Sequence, residues 1–143
     1  MLFIVQHWYT MQMVVHGECI DLGTADGFYA DEEYEIMGLI TFRLIGKEME
    51  ILSLDSLYEH KGTGSSLLSA AVEKTNSLGL ECVTLITTND NLHALRFYQK
   101  RGFDLVRIHR NAVDRARIIK PEIPLVGMDG IPLKHEIELE LTL

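Results

Sequence analysis

Alternation of polar and apolar residues predicts the first β-strands of this chain. Residues 48–54 (EMEILSL) alternate over most of their length, so two sets of side chains should point to opposite faces of one strand. The first set is Glu48, Glu50, Leu52 and Leu54, and the second is Met49, Ile51 and Ser53. Residues 27–32 and 35–44 are also rich in strand-forming residues, and short polar turns separate them. Together these runs predict an antiparallel meander.

The N-terminal runs are less informative. Residues 12–20 (QMVVHGECI) predict a strand that Gly17 interrupts. Residues 1–9 are mostly apolar, but the run is too short for its periodicity to distinguish a strand from the last turns of a helix.

The second half of the chain alternates between helical and strand patterns. A first helix should follow Gly64 and end at Gly79, because its apolar residues recur at helical spacing. The near-continuous apolar run 81–87 predicts a buried strand. Residues 88–91 (TNDN) are dense in N-cap residues, so a second helix should begin there and close at Gly102. We expect a strand at 103–108, a short helix within 109–120 capped by Asn111, a long proline-containing connection at 121–132, and a final strand at 135–143.

The turn between strand 48–54 and the first helix contains Gly62 and Gly64. The N-terminus of a helix presents backbone N–H groups and a positive dipole end, which together favour an anion. A glycine also lets a phosphate approach the backbone closely. The alternative is a tight strand-to-helix turn that simply requires two glycines.

A second motif decides between these interpretations. The segment NLHALRFYQKRGF, residues 91–103, follows the strand 81–87, and the segment EHKGTG, residues 59–64, precedes the first helix. Together they resemble the GCN5-related N-acetyltransferase (GNAT) superfamily, whose acyl-CoA loop reads Gln/Arg-x-x-Gly-x-Gly/Ala. The later helix of that family reads Asn-x-x-Ala-x-x-Phe-Tyr-x-x-x-Gly-Phe, and every one of these positions matches here. Glu59 departs from the pattern, since a carboxylate stands where Gln or Arg is usual.

The resemblance implies an α/β fold with a mixed, mainly antiparallel twisted sheet flanked by helices. It implies a shortened N-terminal unit, because family members usually have a strand and one or two helices before the meander and only some ten residues precede Met11. In the family, the strands matching 48–54 and 81–87 are parallel and splay apart, and the pantetheine arm enters the gap.

The same resemblance implies acetyl-CoA as co-substrate. The expected contacts are the loop, the end of the strand before it, and one face of the second helix. The residues are Leu54, Ser56, Leu57, Glu59, His60, Lys61, Gly62, Thr63, Gly64, Ser65, Asn91, Ala94, Phe97 and Tyr98. Asn91 would contact the cofactor arm or simply cap its helix. Glu59 would repel a diphosphate if it pointed inward, and Lys61 could offset that repulsion.

The implied reaction is direct attack of an amine on acetyl-CoA in a ternary complex. Tyr98 matches the family tyrosine that protonates the departing thiolate; a phenol with an ordinary pKa near 10 is protonated at neutral pH and can donate its proton to a thiolate whose thiol has a pKa near 8.5. Glu48, by its distance from the loop, matches the base of some relatives, and Glu50 on the same face is a second candidate. The structural alternatives are that both glutamates are solvated strand residues and that Tyr98 only packs on the sheet.

The composition of the chain limits the classes of molecule that it can bind. The 143 residues are enough for one domain, 1–143, with a substantial core. A net charge of -8 argues against nucleic acid and is compatible with a cationic amine acceptor. Cys19 and Cys82 indicate reduced thiols in a cytoplasmic protein, scattered histidines predict no metal, and no segment resembles a signal peptide or a membrane span.

Two further expectations concern assembly and activity. The apolar residues 1–5 need a covering surface, and this predicts a homodimer. Besides an N-acetyltransferase, the chain could be a catalytically silent acyl-CoA-binding module or a structural partner subunit. The identity of the acceptor stays open between polyamine, amino acid, antibiotic and protein N-terminus.

Overall fold

The structure is a computed structural model that describes residues 2–8, 12–15, 18–21, 26–32, 35–56 and 62–143. They cluster in two compact units, each of which is described separately. The first comprises residues 1–12, 21–83 and 143, and the second comprises 13–20 and 84–142.

The first unit contains four antiparallel strands that are neighbours in the order β1, β4, β5, β6. They span Leu2–Trp8, Asp26–Glu32, Glu35–Ile45 and Glu48–Ser56. The meander predicted for residues 27–54 is therefore confirmed. Within the run at 1–9, for which helix and strand were both open, the described residues Leu2–Trp8 form a strand, which pairs along its whole length with β4.

Residues 12–21 differ from the prediction of one interrupted strand. They contain two strands, β2 (Gln12–Val15) and β3 (Glu18–Asp21), which form a two-stranded sheet of their own. Gly17, the predicted interruption, lies outside the described residues.

Helix α1 (Thr63–Ser77) packs on one face of the first unit's strands. A Cβ at Gly38 would lie 2.9 Å from Cγ2 of Thr63 and 3.1 Å from Cδ1 of Leu67, so the helix crosses β5 where only glycine leaves room. Further along the helix, the Thr75 hydroxyl donates to the Ala71 carbonyl at 2.8 Å and also lies 3.2 Å from the sulfur of Met49 on β6. The helix ends as predicted at Gly79, whose φ of +70° is the left-handed conformation of a C′ glycine.

A β-bulge in β6 corrects the predicted alternation. Thr41 pairs with Ser53 and Phe42 pairs with Ile51, so Leu52 is an extra residue in β6. Glu50 pairs with Arg43 whereas Leu54 pairs with Ile40. Because Arg43 and Ile40 are three residues apart on β5, Leu54 and Glu50 point to opposite faces. The prediction that they share a face is wrong, and the prediction that Glu48 and Glu50 do is confirmed.

Besides most of β2 and β3, the described part of the second unit contains three strands and two helices. Strand β7 (Cys82–Thr88), which begins in the first unit, is followed by α2 (Leu92–Lys100), β8 (Asp104–His109), α3 (Ala112–Ile119) and β9 (Glu136–Thr142). The strand order is β7, β9, β8, and β8 is antiparallel to β9. The final predicted strand is thus an inner strand of this unit.

Helix α3 begins where the sequence predicted, but its cap differs. Asn111 has a left-handed φ of 58° and makes no side-chain capping bond. Instead its backbone N–H donates to Nδ1 of His135 at 2.8 Å. Predicted side-chain capping by Asn111 is therefore wrong, because the residue turns the chain instead. Over the described residues, no helix is long and apolar enough to cross a membrane.

Candidate active site

The N-terminus of α1 has the features of an anion site. Its N-cap is Gly62, with a left-handed φ of 76° and no side-chain cap, and its first turn carries no acidic residue. The Ser66 N–H makes an intrahelical bond to the Gly62 carbonyl at 3.0 Å. The N–H groups before Ser66 therefore lie in the turn where a helix lacks its own acceptors. Neither a capping side chain nor a carboxylate of this turn competes for an incoming anion.

The rest of the predicted cofactor loop is described only in part. Thr63 is buried, and Gly64 and Ser65 are half-buried. Leu54 and Ser56 lie at the end of β6, half-buried and exposed respectively. Four predicted contacts, Leu57, Glu59, His60 and Lys61, lie outside the described residues.

The two candidate bases have different surroundings. Glu48 is exposed at the start of β6. Glu50 is buried, and its Oε1 accepts from Nε of Arg43 at 3.1 Å and lies 3.1 Å from Nη2 of the same guanidinium. The carboxylate of Glu50 thus serves an ion pair between neighbouring strands, whereas Glu48 is open to solvent.

Tyr98 lies in the last turn of α2 with its side chain buried. Its ring contacts Phe97 and Phe103 edge to face, with ring centroids 5.1 and 5.3 Å away. The helix ends in a Schellman motif, in which the Phe103 N–H donates to the Tyr98 carbonyl at 3.1 Å. The contact with Phe103 is the apolar contact that accompanies this motif. The packing interpretation of the ring is therefore observed, and the proton-donor role stays a prediction.

Asn91 has the capping role that was its alternative interpretation. Its Oδ1 accepts a hydrogen bond from the Ala94 N–H at 3.1 Å, so this oxygen is occupied at the start of α2. A contact from Asn91 to the cofactor stays a prediction, in which the side-chain amide NH₂ would be the donor. Ala94 and Phe97, on the same helix, are half-buried.

The sequence analysis missed two residues beside Asn91. Asp90 is 3% exposed; its Oδ1 accepts from the Thr88 hydroxyl at 2.5 Å, and its Oδ2 accepts from the Met128 N–H at 2.8 Å. Oδ1 of Asn89 accepts from the N–H groups of Lys134 and His135, at 3.0 and 2.8 Å. The sequence carried a signal for both residues, because Asn89 and Asp90 have hydrogen-bonding side chains and come shortly after an apolar strand. The sequence analysis attributed these two residues to helix capping alone.

A family model described as the acetyltransferase (GNAT) family matches residues 6–103. The chain belongs to this family. A relative by sequence is the uncharacterized protein YdhI of Bacillus subtilis, which is 44% identical over 136 residues, covering 94% of this chain and 85% of YdhI.

Solved structures show the same fold. The IAA acetyltransferase from Bacillus cereus superposes with a TM-score of 0.73 at 24% identity, covering 85% of this chain and 80% of that one. A GNAT family acetyltransferase from Elizabethkingia anophelis, solved with acetyl-CoA bound, gives 0.73 at 23% identity, covering 85% and 78%. The predicted α/β fold, with a mixed, mainly antiparallel sheet flanked by helices, is confirmed.

Proposed function

We propose that this chain is an N-acetyltransferase that moves the acetyl group of acetyl-CoA to an amine in a ternary complex. The observation that carries the proposal is the N-terminus of α1, which Gly62 begins without a side-chain cap and which coincides with the cofactor motif of the family. The pyrophosphate binds the backbone amides of residues 61–65. That the Elizabethkingia relative binds acetyl-CoA supports the choice of cofactor.

In the reaction, the amine nitrogen attacks the thioester carbonyl, a C–N bond forms, and the C–S bond breaks. The amine must first lose the proton that it carries at neutral pH. We assign this proton to Glu48, directly or through water, because its exposed carboxylate can pass the proton on to solvent. Glu50 is the poorer candidate, since its Oε1 is engaged by Arg43.

The leaving CoA thiolate also needs a proton, which we assign to the Tyr98 phenol. Solvent then returns a proton to the phenolate, so the enzyme is regenerated. The buried ring, held by Phe97 and Phe103, supports this role because a fixed ring gives its hydroxyl a fixed position.

Thiol release from acetyl-CoA in the presence of a panel of primary amines tests the proposed reaction. An amine-dependent rate above slow hydrolysis is expected. A silent acyl-CoA-binding module would give no amine-dependent thiol but would still melt at a higher temperature with CoA. A structural subunit would give neither response.

A further inference from the structure

A small hairpin in the second unit is held against the turn that precedes α2. We call residues 121–133 the strap; they follow the part of the chain that the family model matches. The Gly127 N–H donates to the Ile131 carbonyl at 2.8 Å, and the Leu133 N–H donates to the Leu125 carbonyl at 3.0 Å. The tip is a 3-10 turn, Met128–Gly130. The strap is thus an ordered element rather than a plain connection.

Asp90 fixes the tip of the strap. Besides accepting from the Met128 N–H, its carboxylate lies directly against Gly127, where an added Cβ would be 2.0 Å from Oδ2. No side chain fits at position 127 while Asp90 keeps this position. The Asp90 carboxylate, the Met128 N–H and the glycine at position 127 therefore hold one another in place, and we call these three groups the lock.

The base of the strap is fixed from two sides. The Nδ2 of Asn89 donates to the Pro132 carbonyl at 2.9 Å. The guanidinium of Arg117, on α3, donates to the carbonyls of Ile123, Pro124 and Leu133 at 3.2, 2.5 and 2.6 Å. Charge-assisted bonds to several carbonyls hold a loop firmly.

The fixed strap presents apolar side chains to solvent. Leu125, Val126 and Met128 are 74, 57 and 55% exposed. Asp90 is two residues beyond the end of β7 and directly precedes Asn91, so Met128 is tied to the carboxyl end of that strand. Ligands of α/β folds bind beyond the carboxyl ends of strands. An ordered apolar surface at this place suits the carbon skeleton of a substrate.

We propose that Asp90 is a positioning residue that sets the strap as an apolar wall for the acceptor, and that the acceptor is a primary amine with an apolar carbon skeleton. This inference rests on the proposed acetyltransferase function. The wall binds the skeleton of the amine, and Asp90 acts through Met128 without touching the substrate.

The test uses a series of straight-chain primary amines from ethylamine to hexylamine, with acetyl-CoA as donor. A fully buried methylene is worth ~4-fold in binding. We expect kcat/KM to rise at least about tenfold from ethylamine to hexylamine, and this rise to be largely lost in Asp90→Ala, with the KM for acetyl-CoA unchanged. Asp90→Asn should restore most of it, because its amide oxygen can accept from Met128 while its NH₂ donates to Thr88. Asp104→Ala, which removes an exposed carboxylate on β8, is the matched control.

A double-mutant cycle tests the lock itself. Gly127→Ala should lower the melting temperature and flatten the amine series in the wild-type background. In the Asp90→Ala background the same change should have a much smaller further effect, since Oδ2 and Cγ of Asp90, the atoms nearest to the new Cβ, are gone and only the Cβ at position 90, 3.0 Å away, remains. Simple additivity of the two changes would overturn the lock.

The remaining outcomes separate the possible failures. If no amine releases thiol, the acetyltransferase proposal is overturned, and the strap loses its acceptor role with it. If amines react but chain length has no effect, or if Asp90→Ala keeps the effect, only the strap inference is overturned. If Leu125→Asn turns a dimer into a monomer in sedimentation and leaves the amine series unchanged, the apolar surface is a contact between copies, and the inference is wrong.

Discussion

The guanidinium of Arg43 lies across the strand pair from the carboxylate of Glu50, with Nη2 3.1 Å from Oε1. The pair stands directly opposite in the β5–β6 register, and the Glu50 side chain is only 9% exposed. Thr41 lies two residues before Arg43 on β5 and is paired with Ser53 on β6. The hydroxyl oxygens of Thr41 and Ser53 are 2.6 Å apart. Buried polar groups on this face are thus paired with one another, which is how a polar stripe can persist within a sheet.

The first prediction follows from this pairing. Arg43→Met keeps most of the apolar stem but leaves the Glu50 carboxylate without its guanidinium partner. Because the Arg43 side chain is 25% exposed, the loss should be smaller than for a fully buried pair, on the order of 1–3 kcal/mol in the free energy of unfolding. We expect a loss of this order in urea unfolding. The double variant Arg43→Met/Glu50→Gln should recover part of it, and an equal loss in both variants would show that the charge pair is not the cause.

The second prediction separates the two glutamates. Glu48→Gln should lower kcat by ~10² to 10⁴-fold if its carboxylate is the base, because general-base catalysis is worth this much. Stability should hardly change, since Glu48 is exposed. Glu50→Gln should instead lower stability. If Glu50→Gln lowers kcat by this amount and Glu48→Gln leaves it unchanged, Glu50 is the base and the assignment is reversed.

A feature of the fold or of the site could be predicted from the sequence when its signal was local, that is, contained in a few consecutive residues. The glycines at 62 and 79 were identified because a left-handed backbone conformation is a requirement at a single position, and glycine meets it. The bulge at Leu52 was not, because an extra residue in a strand is defined only by its pairing partner, and no local pattern names that partner. The lock of Asp90 on Gly127 was missed for the same reason, since these residues are far apart in the chain.

The third prediction concerns Tyr98. Tyr98→Phe keeps the ring between Phe97 and Phe103 and removes only the hydroxyl. We expect kcat to fall by ~10² to 10⁴-fold with little change in CoA affinity. The melting temperature should change little, because a hydroxyl contributes about 1 kcal/mol at most sites.

A second substitution at the same position serves as control. Tyr98→Leu should lower the melting temperature strongly, because it removes both edge-to-face contacts. If Tyr98→Phe leaves kcat within about threefold of wild type while thiol release limits the rate, the phenol is not the acid.

The last prediction tests the anion site by comparing the same substitution at two glycines of similar backbone conformation. Gly62 and Gly46 have left-handed φ values of 76° and 57°, and an added Cβ at either position would meet no atom of the described residues within 4 Å. Substitution by Ala should therefore strain the backbone similarly, by about 1–2 kcal/mol. Only Gly62 caps α1; Gly46 lies in the turn between β5 and β6. We expect Gly62→Ala to weaken CoA binding at least about tenfold in calorimetry and Gly46→Ala to leave it unchanged at the same loss of stability. Equal affinities in the two variants would mean that the N-terminus of α1 does not hold the pyrophosphate, and the proposed cofactor site would have to be abandoned.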